Sequence, residues 1–77
     1  MNIYELTTRF DARKSFYHKA LVQVDTNRTT LFSYETEVAY IENGKLTMLP
    51  DAWYSTTTRR HVREFARQHN VESQLQY

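Results

Sequence analysis

Four closely spaced arginines near the carboxyl end of this chain are the side chains best suited to chemistry. They are Arg59, Arg60, Arg63 and Arg67. On a helix at about 100° per residue they fall within an arc of roughly 100°. Guanidinium groups bind carboxylates and phosphates through paired hydrogen bonds. The spacing therefore predicts a helix face that binds an anionic group.

The residues just before the arginines could complete such a site. Thr56 and Thr57 offer hydroxyl groups beside the N–H groups of a helix start, which bind anions. Tyr54 could stack on a base or a sugar. Arg13 and Lys14, near the other end of the chain, would assist if the fold brings them close. These residues and the four arginines form the predicted binding set.

Two simpler interpretations of the arginines stay open. Arg59 and Arg60 in a first helical turn oppose the helix dipole, at a cost of about 0.3–1 kcal/mol for an exposed charge. That cost is offset if either one pairs with a carboxylate from the middle of the chain. The arginine face could also be merely solvated. The candidates for pairing are Glu35, Glu37 and Asp51.

The size and charge of the chain limit what it can be. It has 77 residues, a formal net charge of +1 and no cysteine, so neither disulfides nor thiolate metal sites support the fold. The two ends are basic, whereas residues 20–53 carry five acidic and two basic side chains. Such asymmetry can steer a partner, or the ends can fold onto the middle and neutralise it.

Hydrophobic periodicity predicts one α+β domain over residues 1–70, followed by a short polar tail at 71–77. Asn43-Gly44 has the chemistry of a tight type I′ turn between two strands. A helix is expected from about residue 57 to residue 68, capped within residues 55–57 and stopped near Asn70. An irregular basic loop is expected at residues 10–16. The predicted strands are residues 2–7, 19–24, 29–34, 37–42 and 45–49.

These elements predict a four- to five-stranded antiparallel meander with one C-terminal amphipathic helix packed on one face. On that helix, Thr58, Val62, Phe65 and Ala66 form the stripe that faces the sheet, with His69 near its edge. The arginines then lie on another side of the same helix.

Metal binding and catalysis are not expected. His18, His61 and His69 lack the i, i+4 spacing of a zinc-binding helix, and His61 and His69 are expected at the helix edge with a hydrogen-bonded nitrogen. No nucleophile motif or glycine-rich phosphate loop is present. So small a sheet should offer little concave volume for a pocket. We therefore predict no catalytic residues, no metal and no cofactor.

Strand aromatics such as Phe32, Tyr34 and Tyr40 could stack single-stranded nucleic acid. Core packing and cross-strand pairing explain them more simply.

Three segments of the chain carry a resemblance to a known family. They are Ser15-Phe16-Tyr17 with Lys19-Ala20, Ser33-Tyr34-Glu35-Thr36 with Val38-Ala39, and the closing segment YSTTTRRHVREFARQ. In these segments the chain resembles an uncharacterised family of short proteins from phages and integrative elements of Firmicutes. His18 stands where that family often has glycine, and Val71 stands where a second glycine often follows the helix. The resemblance implies an origin and assigns no activity.

Two functions from different classes follow as expectations. The first is a non-enzymatic module that contacts nucleic-acid backbone through its arginines. The second is an anti-defence inhibitor that binds a host protein, such as a CRISPR or restriction nuclease. A homodimer is compatible with either. No membrane-spanning run or secretory signal is evident, so we expect a cytoplasmic protein.

Overall fold

The computed structural model describes residues 2–9, 16, 18–53 and 55–71, and for Asp51 and Trp53 it describes the backbone alone. Within them the chain folds as an α+β domain with a five-stranded antiparallel meander and one C-terminal helix, as the sequence predicts. The predicted loop at 10–16 and tail at 71–77 lie outside the described residues, apart from Phe16 and Val71. The elements are β1 (Asn2–Glu5), β2 (Ala20–Val24), β3 (Thr29–Ser33), β4 (Thr36–Glu42), β5 (Lys45–Met48), a 3₁₀ helix (Pro50–Trp53) and α1 (Thr56–Gln68).

The strands pair in chain order, each antiparallel to the next. Their bounds agree with the predicted ones to within one or two residues at each end. The Asn43-Gly44 turn between β4 and β5 has φ angles of 55° and 75°, the positive values that a type I′ turn requires. This turn is confirmed.

The sheet has one face against α1 and one face away from it. Val22, Leu31 and Ala39 lie side by side on the helix-facing side, and all three are buried. We call the opposite side the outer sheet face. It carries two cross-strand rows, Ile3 with Gln23, Thr30 and Tyr40, and Glu5 with Leu21, Phe32 and Glu37.

A β-bulge in β4 deepens the core. Leu31 pairs with Ala39 and Phe32 pairs with Glu37, so Val38 is an extra residue on β4. Both Val38 and its neighbour Ala39 are buried, which strict strand alternation would forbid. The bulge therefore supplies an additional apolar side chain to the small core beneath α1.

Several turns use positive φ angles without glycine. Tyr34 and Glu35 form the two-residue turn between β3 and β4 with φ angles of 52° and 67°. His18, where the resembled family often has glycine, has φ of 64°. Its backbone N–H donates to Glu5 Oε2 at 3.0 Å, and its Nδ1 lies 2.9 Å from Glu5 Oε1. This double contact with β1 holds histidine in a conformation that glycine adopts more easily.

Both ends of α1 are capped. Ser55 is the N-cap, and its Oγ accepts from the Thr58 N–H at 3.1 Å. After the helix, the Asn70 N–H donates to Arg67 O and the Val71 N–H donates to Ala66 O, with Asn70 at φ of 57°. This pattern is a Schellman motif, so the predicted stop at Asn70 is confirmed.

Candidate nucleic-acid interface

The burial pattern of α1 separates its two sides. Thr58, Val62, Phe65 and Ala66 are buried against the sheet, as predicted. On the helix the four arginines are centred roughly opposite this stripe. Their exposure fits that placement, because none of the four is buried. Arg67 is exposed, and Arg59, Arg60 and Arg63 are half-buried.

The arginines are held partly by contacts inside the molecule. Arg59 Nη2 lies 3.4 Å from Thr56 Oγ1, and Arg59, Arg60 and Arg63 each make further interactions within the chain. Long side chains commonly pack their methylene stems on the protein while the charged end remains near water. The side chains of these arginines therefore have restricted freedom.

Thr56 and Thr57, predicted as parts of one anion site, point in different directions. Thr56 is exposed and lies on the arginine side of α1, whereas Thr57 is half-buried and lines a cavity described below. The first turn contains no acidic residue. The N–H groups of these two threonines lie at helix positions that have no acceptor within the helix.

Carboxylates of the strands lie on the side of the domain away from the arginines. Glu5, Glu37 and Glu42 are all on the outer sheet face by their register. Glu37 is therefore not placed to pair with Arg59 or Arg60, as one simpler interpretation proposed. Glu42 instead lies 3.4 Å from Arg28 on its own face.

A buried carboxylate brings one more arginine to the helix. Glu64 is 2% exposed, and it accepts from the backbone N–H of Arg9 at 2.9 Å and from Gln68 Nε2. Gln68 Nε2 also donates to the carbonyl oxygen of Thr7. Glu64 and Gln68 thus fasten the segment after β1 along the helix. Arg9, which is exposed, joins the four helix arginines, and we call these five residues the basic face.

Arg9 is a residue that the sequence analysis missed. Arg9 and Glu64 are 55 positions apart in sequence, and no local sequence pattern at either residue predicts their contact. Arg13, Lys14 and Tyr54 lie outside the described residues, so their predicted roles stay predictions.

His61 is a core residue and not a helix-edge residue, which corrects the sequence prediction. It is fully buried, and its Nδ1 lies 2.8 Å from Ser33 Oγ. Ser33 Oγ also lies 3.3 Å from Thr58 Oγ1, and the Phe16 ring meets the imidazole edge-on at 4.4 Å. The sequence predicted a hydrogen-bonded nitrogen for His61 but did not predict its burial. His69 is half-buried at the helix edge, with Nδ1 3.0 Å from Phe65 O, as predicted.

A cavity of about 550 Å³ opens between the start of α1 and the β3–β4 hairpin. A sheet this small was expected to offer little concave volume, and that expectation is wrong. The cavity is lined by the bulge residue Val38 and the hairpin-turn residue Tyr34, and neither the bulge nor the turn has a clear sequence pattern. We call it the hydroxyl cavity, because its wall includes Ser33, Thr36, Ser55, Thr57 and Thr58, together with Tyr34 and Val38.

The strand aromatics are placed differently from one another. Phe32 and Tyr40 are half-buried on the outer sheet face, where the Arg28 guanidinium lies 4.0 Å from the Tyr40 ring centre. Tyr34 lies in the turn at 50% exposure, not in a strand.

Within the described residues, no three His, Asp or Glu side chains cluster as ligands for a metal ion. In the same part of the chain, no helix has both the length and the apolar character needed to cross a bilayer.

The described residues define a small α+β domain whose C-terminal helix carries four arginines on the side away from the sheet. Over residues 4–76 the chain matches a family described as "Family of unknown function (DUF8033)", and it belongs to that family. No curated protein and no solved structure shows significant similarity to the chain.

Proposed function

We propose that this protein is a non-enzymatic binding module that contacts the phosphate backbone of nucleic acid through its basic face. Arg13 and Lys14 are proposed to assist, with Tyr54 stacking beside the helix start. The proposal rests on one observation: the helix arginines and the strand carboxylates lie on opposite sides of the domain.

Separation of charge matters because the net charge is only +1. A protein with evenly mixed charges attracts a polyanion weakly, whereas one with a basic side orients that side toward it. Here the outer sheet face holds Glu5, Glu37 and Glu42 away from the approaching phosphates. A polyanion is therefore expected to be attracted when it approaches the helix side of the domain.

The dimensions of the helix fit a nucleic-acid strand. Arg59 and Arg67 are eight residues apart, which is about 12 Å along a helix. Successive phosphates of one strand advance by about 3.4 Å along a duplex. The arginines therefore span the axial rise of about four phosphates of one duplex strand.

Fluorescence anisotropy with labelled oligonucleotides tests the proposal. For about four phosphate contacts the slope of log K against log salt should be about −2.8 on single strands. Affinity should then fall about 150-fold between about 50 mM and about 300 mM salt. Equal binding at the two salt concentrations, or none at either, would overturn the proposal.

A matched pair of variants assigns the contact to the basic face. Arg67→Gln and Lys45→Gln each remove one positive charge from an exposed residue, the first on α1 and the second on β5. Arg67→Gln should make the slope shallower by about 0.7 and Lys45→Gln should leave it unchanged. Equal effects of the two variants would show that binding follows net charge alone and not this face.

The second candidate is an anti-defence inhibitor that binds a host protein. The observation that favours it is the outer sheet face, where Glu37 is exposed beside the half-buried ring of Phe32. Carboxylates arranged on a flat sheet could imitate phosphates. Affinity purification from host lysate with mass spectrometry tests this candidate, and the absence of a stoichiometric protein partner would count against it.

The origin, location and oligomeric state are also proposals. The resemblance noted above supports a protein of a phage or other mobile element that acts in the host cytoplasm. Pairing with a second copy would suit so small a chain. Light scattering at two protein concentrations tests this self-association.

A further inference from the structure

The hydroxyl cavity has the chemistry of a site for an uncharged, planar ligand. Among the described residues, seven side chains line it; all seven are uncharged, and this part of the wall is mostly carbon despite its six hydroxyl groups. An anion entering the cavity would lose its hydration and find no cation among these seven side chains. A neutral ring with hydrogen-bonding edges would lie against carbon and meet the hydroxyls of Thr36 and Thr57, which can donate or accept. The hydroxyls of Ser33, Ser55 and Thr58 are hydrogen-bonded within the protein.

The cavity lies directly beside the basic face. Thr57 lines the cavity, and Arg60 follows it by three positions on the helix, so the two side chains are neighbours. Thr56, the residue before Thr57, contacts Arg59. One turn of α1 thus presents hydroxyls to the cavity and guanidinium groups to the adjoining surface.

Tyr34 forms the exposed rim of the cavity. Its ring is 50% exposed, and the ammonium of Lys19 lies 5.8 Å from the ring centre. Tyr34 holds this place with φ of 52°, an unusual angle for a bulky residue. An aromatic rim beside cations is suited to a ligand that has both a flat ring and an anionic group.

From this juxtaposition we propose that the hydroxyl cavity binds one unstacked nucleobase of a single strand, whose phosphates lie on the basic face. The inference rests on the proposed function and specifies its partner as single-stranded nucleic acid. The cavity volume of about 550 Å³ is ample for a base with its sugar. The hydroxyls can serve any base, so discrimination among sequences should be weak.

Three oligonucleotides of equal length test the proposal: a single strand, the same strand with abasic sites in place of its bases, and a duplex. Phosphates are common to all three, so the basic face alone would bind the abasic strand. We expect the intact single strand to bind about tenfold more tightly than the abasic strand or the duplex.

A matched pair of substitutions tests the cavity itself. Thr36 is exposed and lines the cavity, whereas Thr47 is exposed on the outer sheet face. Thr36→Phe should fill the cavity and lower affinity for the intact strand about tenfold, to the abasic level. Thr47→Phe should leave both affinities unchanged. Both are strand positions that accept an aromatic residue, so thermal melts should confirm that both variants fold.

A free nucleoside provides a measurement that does not depend on the arginines. Adenosine at millimolar concentration should shift the amide resonances of Thr36 and Thr57 in the wild type and not in Thr36→Phe. If the intact and abasic strands bind equally and adenosine shifts neither resonance, the cavity proposal is wrong and the basic face stands. If no oligonucleotide binds while adenosine still shifts both resonances, the proposed function fails and the cavity stands alone.

Discussion

The hydrogen bond between Ser33 and His61 gives the sharpest stability prediction. Ser33 is 2% exposed, His61 is fully buried, and their side chains meet at 2.8 Å. Ser33→Ala removes the hydroxyl that His61 Nδ1 meets and adds little empty volume. Loss of one partner from a buried polar pair costs about 1–3 kcal/mol. Thr58 Oγ1 also touches Ser33, but it keeps Ser55 Oγ at 3.1 Å, so most of the cost arises at His61.

The assay is thermal unfolding followed by circular dichroism. For a domain of this size 1 kcal/mol corresponds to about 4–8 °C, so Ser33→Ala should lower Tm by roughly 4–24 °C. Thr47→Ala, at an exposed strand position, should change the free energy of unfolding by less than about 0.5 kcal/mol.

A double-mutant cycle separates the hydrogen bond from packing. The free energy of unfolding is measured for the wild type, Ser33→Ala, His61→Phe and the double variant. The coupling free energy should be about 0.5–3 kcal/mol, because the effects of substitutions within one hydrogen-bond network are not additive. The reasoning would be refuted if Ser33→Ala melted within about 2 °C of the wild type, or if the two substitutions were additive.

Three further predictions concern the helix and its turns, each measured by thermal or chemical unfolding. Ser55→Ala removes the N-cap acceptor of the Thr58 N–H and should cost about 1 kcal/mol; an unchanged stability would mean that water replaces the cap. Gly44→Ala should cost about 1–2 kcal/mol, because φ of 75° strains any side chain even where nothing lies within 4 Å of the new Cβ. Glu64→Ala should cost about 1.5–3 kcal/mol and accelerate hydrogen exchange at the Arg9 amide, whereas unchanged exchange there would contradict the tie between the segment after β1 and α1.

The parts of the fold that the sequence predicted well are encoded locally. Asn43-Gly44 has the turn residues that its φ angles demand, and the alternation of Ala20, Val22 and Val24 marks one face of β2. Asn70 ends the helix where a positive φ is needed. In each case the residues that specify the structure are neighbours in sequence.

The parts that escaped prediction depend on distant partners. His61 was expected at the helix edge and Glu64 is a charged residue, yet both are buried. Their partners are Ser33, 28 positions away, and Arg9, 55 positions away. A buried polar group is stable only with its partner, so periodicity alone cannot identify these two positions. The hydroxyl cavity escaped prediction because its lining residues come from two segments, 33–38 and 55–58, that are separated in sequence.

The arginine stripe of the candidate site could be predicted because four arginines share one arc of one helix. Its relation to the carboxylates could not, because that relation depends on strand register. A shift by one residue would move Glu37 to the helix side of the sheet. The strand register therefore determines whether Glu37 lies on the same side of the sheet as the helix arginines or on the opposite side.

The left-handed residues without glycine suggest how a more rugged version of this protein could be made for crystallisation or spectroscopy. Glu35→Gly would relax a backbone that a side chain now makes less favourable. Glu35 is not part of the basic face and is not among the described residues that line the hydroxyl cavity. Tyr34 is the exception, because glycine there would strengthen the hairpin and remove the aromatic rim. At Tyr34, a substitution that raises thermal stability would therefore be expected to weaken binding of the proposed ligand.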